Sequence, residues 1–309
     1  MRQRRNSSPL ALQAKGSNSG SSARSFAAHA AELAPVSAQR LTVATWNVNG
    51  LRARVERVGT WLDAFAPDVV LLQETKCNPE QVPAELFAPR GYTWCAQGAG
   101  GRNGVLIASR VGLEPSDDRL VSAAAPASEV DLLTEPRFIS ATCAGLRVAS
   151  IYAPHGREVD SPYWHEKLRW YAALRDWSAT RLTAADPLII GGDFNVAPTD
   201  DDVWDPAVLA GGTHVSEQER AAFAALTGLG LADAAVALAT PEEKAPYTWW
   251  DYRNGAFHRG WGMRIDQILV DPRAGRLVAS SVDREGRKGA SPSDHAALQA
   301  TIERSAATA

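Results

Sequence analysis

The stretch that most limits what this chain can become is Pro187-Leu188-Ile189-Ile190-Gly191-Gly192-Asp193-Phe194-Asn195. A short apolar run bounded by a proline and a glycine pair suits a buried central strand, and its polar end predicts that this strand opens onto a site. Strand alternation then places Asp193 and Asn195 on one face. A carboxylate that can bind a metal or take a proton, beside an amide that can hold a water or an oxyanion, is a hydrolytic pairing. The plain alternative is a strand end with a capping aspartate, because polar residues at strand ends are ordinary turn chemistry. The rest of the chain decides between the two.

Residues 41–48 have strand composition, and Asn49-Gly50 signals a turn after them. Leu51, Val55, Val58, Leu62 and Phe65 recur at helical spacing until Pro67. Residues 68–74 read as a second buried strand, which makes a strand-helix-strand opening. Strands are expected next over 92–96, 104–110, 138–144 and 146–153, the last two meeting at Gly145 as a hairpin would. Ser161 as cap and Pro162 in the first turn predict a long helix, with Trp164, Leu168, Tyr171, Leu174 and Trp177 along one face. Beyond Asn195, Ser216 and Glu219 form a capping box for a short helix over 216–226. Strands return over 247–252, 264–270, 280–283 and 295–302. This order predicts an α/β fold with two sheets packed face to face and helices outside.

No linker interrupts residues 41–303, which read as one domain. Residues 1–40, rich in Ser, Ala, Arg and Gly with no acid before Glu32, read as a disordered extension. An Arg-rich, Ser-rich start is also the composition of an organelle transit peptide, and equally of a basic tail or an over-long gene start. A chain of 309 residues, 45% hydrophobic, can bury a large core. No apolar run approaches the roughly 20 residues of a membrane span, so no membrane partner is expected. Cys77, Cys95 and Cys143 lack metal-ligand spacing, and their odd number argues for a reducing compartment rather than a disulfide framework. The formal charge of -3 decides nothing about nucleic acid, since a cluster of metal-binding acids would mask the basic groups.

Polar residues fall repeatedly at the ends of the predicted strands: Asn47 and Asn49, Glu74, Tyr152, Asp193 and Asn195, Asp266, Asp294 and His295. Each has a plain reading alone. Glu74 could cap a helix, Tyr152 could be a core aromatic, and Asp294-His295 could be a turn. Together they make a hard-oxygen metal site with a histidine and a phenol beside it, which suits phosphate-ester hydrolysis with a divalent ion.

The blocks Thr45-Trp46-Asn47-Val48-Asn49-Gly50-Leu51-Arg52-Ala53, Leu72-Gln73-Glu74-Thr75-Lys76, Tyr152-Ala153-Pro154-His155-Gly156, Gly192-Asp193-Phe194-Asn195-Val196-Ala197-Pro198-Thr199, Arg264-Ile265-Asp266 and Ser293-Asp294-His295 stand in this order. In that order the chain resembles the exonuclease III family of abasic-site endonucleases, within the endonuclease/exonuclease/phosphatase superfamily, over residues 41–302. The resemblance implies a DNase I-like, four-layer α/β sandwich. It implies Mg²⁺, with Mn²⁺ as the alternative, held by Glu74 with Asn49 and Asp294 nearby, and with Asp193 and Asn195 bordering the ion. It also implies that Asp193 orients and deprotonates the attacking water while Asn195 and Asn47 hold the phosphate and water in line. His295, oriented by Asp266, would bind a phosphoryl oxygen, and Tyr152 would contact the phosphate or the leaving group.

Sugar phosphatases, lipid phosphodiesterases and deadenylases share some of these blocks, and the stretch at 247–253, which resembles the family's aromatic loop, helps to set this chain apart from them. Trp249 resembles the residue that walls a small pocket for a base-less sugar, with Met263 and Ile265; the plain reading is a core aromatic on an antiparallel strand. Arg102, Arg157, Arg253, Arg259, Arg284, Arg287 and Lys288 are candidates for phosphate contacts, most of all the group beside Ser293-Asp294-His295. Two departures stand out: His155 where relatives often carry Asn or Gln, and Met263 where some carry Trp. The resemblance implies a monomer in the cytoplasm, on the nucleoid, acting on double-stranded DNA with abasic sites or blocked 3′ ends. It would cleave 5′ to the abasic site to leave a 3′-hydroxyl, with 3′-to-5′ exonuclease and 3′-phosphatase activities. The rivals are a superfamily phosphodiesterase acting on a lipid or small phosphate, and a silent nucleic-acid-binding protein on the same scaffold.

Overall fold

The computed structural model describes residues 40–240 and 243–304. The extension expected over 1–40 therefore lies outside the described residues, apart from Arg40, which opens the first strand. The chain runs β1 (Arg40–Asn47), α1 (Val55–Phe65), β2 (Val69–Gln73), β3 (Thr93–Gln97), β4 (Val105–Ser109), β5 (Glu114–Pro115), β6 (Phe138–Cys143) and β7 (Leu146–Tyr152). It continues with α2 (Pro162–Leu182), β8 (Leu188–Asp193), α3 (Glu217–Thr227), β9 (Ala232–Asp233), β10 (Trp249–Trp250), β11 (Gly262–Met263), β12 (Asp266–Val270), β13 (Arg276–Asp283) and β14 (Ala297–Glu303), with short helical turns between.

One sheet has the order β13-β14-β1-β2-β4-β3 and the other β5-β6-β7-β8-β12-β9. Each is antiparallel except for one central parallel pair. β1 and β2 are joined through α1, and β7 and β8 through α2. Alternate side chains of the two sheets meet between them, Val43, Leu71 and Ile107 against Ile139, Val148, Ile189 and Ile268. The other alternates face outward: Trp46 and Leu72 pack under Val58, Trp61 and Leu62 of α1, and Leu188 and Ile190 under Trp170, Tyr171 and Leu174 of α2. The result is a four-layer α/β sandwich, and strands dry on both faces are what produce unbroken apolar runs in the sequence.

The glycine pair does more than bound the run. A Cβ on Gly192 would lie 1.9 Å from the Ile151 carbonyl oxygen on β7, and one on Gly191 would lie 2.6 Å from Leu71 Cδ1 of the facing sheet. Glycine lets strand and sheet approach just before the polar end of β8.

Several expectations shift. Phe65 is 45% exposed and stacks on Trp61 instead of entering the core. The strand expected over 247–252 shrinks to Trp249–Trp250, because its pairing partner is only the short Gly262–Met263. β13 starts at Arg276, earlier than expected, since an edge strand with half-exposed alternation gives a weak signal. α2 buries Glu166 and Lys167 on its inner face, which apolar periodicity does not foresee. Among the described residues no helix is long and apolar enough to cross a membrane.

Candidate active site

The carboxyl ends of β1, β2 and β8 meet. Asn47, the last residue of β1, donates from its amide to Oε1 of Glu74 and to Oδ2 of Asp193, both at 3.0 Å. That one side chain ties the two sheets together. Past the strand ends the backbone turns in a repeated way: Asn49 N–H donates to Asn47 Oδ1 at 3.0 Å, and Asn195 N–H to Asp193 Oδ1 at 2.9 Å. These local turns hold Asn49 and Asn195 in the left-handed region, at φ 47° and 52°, and Glu74 lies there too at 48°. A residue with a Cβ resists that conformation by about 1–2 kcal/mol, so surrounding bonds must impose it.

Asp266 opens β12 and His295 stands just ahead of β14. Nδ1 of His295 is 2.8 Å from Asp266 Oδ2, and its Nε2 is 3.7 Å from Asp193 Oδ2. Burial opposes charge on this imidazole, but the carboxylates of Asp266 and Asp193 outweigh it and push its pKa up to about 10. Burial lifts the Asp193 carboxyl to about 7, against the pull of His295 and with a further push from Asp266. An imidazolium and a carboxyl poised near neutrality thus share one dry space, the setting that acid–base chemistry requires. Tyr152 stands beside them with the Arg137 guanidinium over its ring at 4.6 Å. Burial and the nearby Glu74 keep its phenol protonated, far above the ordinary range.

Glu74, Asn49 and Asp294 form a second group. Asn49 donates from its amide to Asp294 Oδ1 at 3.1 Å, while Lys76 Nζ lies 3.1 Å from Glu74 Oε2 and 2.5 Å from Asn49 Oδ1. An ammonium gathered between a carboxylate and an amide oxygen marks where these hard oxygens collect positive charge, and such a donor set fits an oxygen-preferring divalent ion. Trp249 Nε1 donates to Asp294 Oδ2 at 3.2 Å. Burial works against ionisation of Asp294, yet His295 and the bonds from Trp249 and Asn49 hold its pKa below the ordinary value. Another trio with ligand chemistry is Asp193, Asp266 and His295, whose atoms lie within 4.8 Å of one another. Its histidine favours the imidazolium, and both oxygens of Asp193 already accept hydrogen bonds. We therefore read that trio as the acid–base group and Glu74, Asn49 and Asp294 as the group able to hold the ion. Asn195, expected near the metal, donates from its amide to the Ala153 carbonyl at 2.8 Å.

Met263 and Ile265 are buried with Ala197 and Val203, and Trp249 packs against them. His155 and Arg157 line a cleft of about 420 Å³ together with Arg102 and Arg137. Arg287 corrects the expectation of a phosphate contact: it is only 5% exposed and donates to the carbonyls of Ser293 and Trp250. A buried guanidinium must find acceptors, and this one braces the turn that carries Asp294. Lys288 stays exposed and pairs with Glu285 at 2.7 Å.

Sequence reasoning missed several supporting groups. Lys76, which closes the Leu72-Gln73-Glu74-Thr75-Lys76 motif, bridges Glu74 and Asn49. The Tyr252 hydroxyl accepts from the Asn49 amide and from Arg54, each at 3.3 Å. Thr248 Oγ1 accepts the backbone N–H groups of Ile265 and Asp266 at 3.2 and 3.1 Å. Arg264, nearly fully buried, pairs with Asp202 at 2.6 Å and Asp233 at 2.5 Å and so fixes the segment leading to Asp266. All four stand inside a motif block or the aromatic stretch at 247–253, and asking which further polar residues those segments carry would have found them; their partners are set by tertiary contacts.

The profile of the Endonuclease/Exonuclease/phosphatase family matches residues 44–295. The chain is 29% identical over 271 residues to exodeoxyribonuclease III of Haemophilus influenzae, across 83% of this chain and 97% of that protein. Among solved structures it is similar to the 3′ phosphatase NExo from Neisseria bound to a product DNA hairpin, with a TM-score of 0.77 and 37% identity over 85% of this chain and 100% of that one. An AP endonuclease from Archaeoglobus fulgidus gives the same TM-score of 0.77 at 35% identity, over 85% of this chain and 100% of that one.

Proposed function

Since the chain belongs to the endonuclease/exonuclease/phosphatase family, and within it to the exonuclease III type of abasic-site endonuclease, we propose a mechanism built on the residues gathered at its strand ends. The protein is a DNA repair nuclease, a hydrolase of phosphodiester bonds. The reaction assigned to it is Mg²⁺-dependent cleavage of double-stranded DNA on the 5′ side of an abasic site, leaving a 3′-hydroxyl. Trimming and dephosphorylation of 3′ ends would use the same groups. The observation that carries this reading is the Asn47 amide joining Glu74 to Asp193 beside the His295–Asp266 pair.

A phosphodiester gains negative charge on the way to its transition state, so fixed donors and a cation stabilise that state more than the ground state. Glu74, Asn49 and Asp294 would hold the divalent ion, which when bound would neutralise part of that charge. Asp193, steadied by the Asn47 amide and the Asn195 N–H, takes the proton of the attacking water through its remaining lone pairs. The His295 imidazolium, oriented by Asp266, donates to a non-bridging phosphoryl oxygen. Tyr152 presents its phenol proton to the phosphate or the leaving oxygen. Trp249, with Met263 and Ile265 packed behind it, would offer an apolar wall to the base-less sugar. Arg157, which shares a cleft with His155, would meet the phosphates alongside.

A labelled duplex with one tetrahydrofuran abasic analogue, beside an undamaged control, tests the assignment in Mg²⁺ and in EDTA. A nick immediately 5′ to the analogue, abolished by EDTA, is expected. Hydrolysis of a phospholipid or sugar phosphate with neither duplex cut would overturn it.

A further inference from the structure

The Ser216-x-x-Glu219 capping box does more than start α3. Glu219 is fully buried, and so is the Lys167 ammonium of α2 with which it pairs. Lys167 Nζ spends its remaining hydrogens on backbone oxygens, Asn195 at 2.7 Å and His155 at 3.3 Å. Glu219 in turn accepts Thr213 Oγ1 at 2.8 Å, His214 N–H at 3.1 Å and Ser216 Oγ at 2.5 Å. The side chains of Lys167, Glu219, Thr213, His214 and Ser216 take no part in the mechanism above, yet Lys167 and His214 converge on Asn195. Its carbonyl, turned inward by the left-handed backbone, accepts Lys167 Nζ on one side and stands 2.6 Å from His214 Nδ1 on the other.

The tautomers follow from the bonds. Arg157 N–H donates to His155 Nδ1 at 3.0 Å, so the His155 proton is on Nε2. That Nε2 lies 3.3 Å from His214 Nε2, which must then be the acceptor. The His214 proton is left on Nδ1, against the Asn195 carbonyl. His214 also accepts the Ala197 N–H on its own carbonyl at 2.9 Å, and so grips the loop after β8 at two points.

We infer that His214 is a positioning residue for the reaction: with the Lys167–Glu219 pair it holds the Asn195 carbonyl, and through the Asn195 N–H it fixes the direction of the Asp193 carboxylate. The inference rests on the reading of Asp193 as the base. Both lone pairs of the carbonyl are used, so losing one donor loosens the hold on the left-handed Asn195 backbone at φ 52°, and the preceding peptide, whose N–H steadies Asp193, is held less firmly through the shared Cα. Lys167 does not offer a clean test, because its removal strands a buried carboxylate.

His214→Asn places an amide N–H near the position of Nδ1, while His214→Ala removes the donor. Misplacing a reacting group by a fraction of an ångström to an ångström is worth up to ~100-fold in rate, so His214→Ala should lower kcat by about that factor with KM within about twofold. Affinity for an abasic duplex in EDTA should not move, and His214→Asn should restore most of kcat. A kcat for His214→Ala within about threefold of wild type overturns the inference, as does an Asn variant no better than Ala, whether through slow turnover or through failure to fold. Long-range ¹H–¹⁵N spectra of the metal-free protein give an independent readout. They should show His155 protonated on Nε2 and His214 on Nδ1, and the reverse pattern refutes the positioning role. That spectrum keeps its meaning if wild type cuts no abasic DNA, a result that would remove the functional assignment alone.

Discussion

In the proposed mechanism Asp193 must be both buried and basic, and the one property produces the other. It is 2% exposed, and the dry surroundings that raise its pKa to about 7 also make it a base strong enough to take a proton near neutrality. Asp193→Asn keeps the shape and loses the base, and cleavage should fall by ~1000-fold with duplex binding retained, as measured by single-turnover kinetics beside a binding titration. His295 adds a second consequence. Its proton affinity rises from an ordinary 6.5 to about 10, so the fold binds a proton that the unfolded chain releases across that interval. In EDTA its contribution to stability is complete below 6.5 and is lost as pH climbs through about 10. Asp193, raised from 3.8 to about 7, acts in the same direction at lower pH. Urea unfolding across the upper interval should give a falling stability in wild type and a flatter profile in His295→Asn; equal slopes would refute this. Trp249 packs against Met263 and Ile265 and, through its indole N–H, donates to Asp294. Trp249→Phe keeps a wall and removes the donor, and the metal concentration for half-maximal cleavage should rise about tenfold.

At the scale of elements, β8 shows what a sequence can reveal and what it conceals. Its apolar run, its polar end and its place as a central strand were all legible, because a strand dry on both faces has little freedom of composition. The role of Gly191 and Gly192 was not, since it depends on where Leu71 and the Ile151 carbonyl happen to lie. Gly192→Ala should cost ~3 kcal/mol or more in thermal or denaturant unfolding, because a backbone oxygen cannot step aside. Among the candidate residues, those inside ordered motif blocks were legible: Glu74, Asp193, Asp266 and His295 come together as their positions at strand ends imply. Arg287 misled because an arginine in a basic stretch looks solvated, and only the fold shows it bonded to the Ser293 and Trp250 carbonyls. Lys167 and Glu219 escaped for the same reason in reverse. Each has the look of a surface charge, and their pairing spans 52 residues of sequence.

For the molecule as a whole, the groups of the candidate site belong to neither sheet alone. Asn47, Glu74, Asp294 and His295 come from the ends of one, Tyr152, Asp193 and Asp266 from the other, and the Asn47 amide crosses between them. β1 also pairs with β14 from Arg40 opposite Glu303 inward, so the two ends of the described fold lie side by side. The order in which the strands are threaded is therefore separable from the architecture they build. A circular permutant that links 303 back to 40 through a few glycines and opens within the exposed residues 123–129 should still nick the tetrahydrofuran duplex. What makes the nuclease, on this view, is adjacency rather than succession: the same neighbours, reached by a different route, would do the same work.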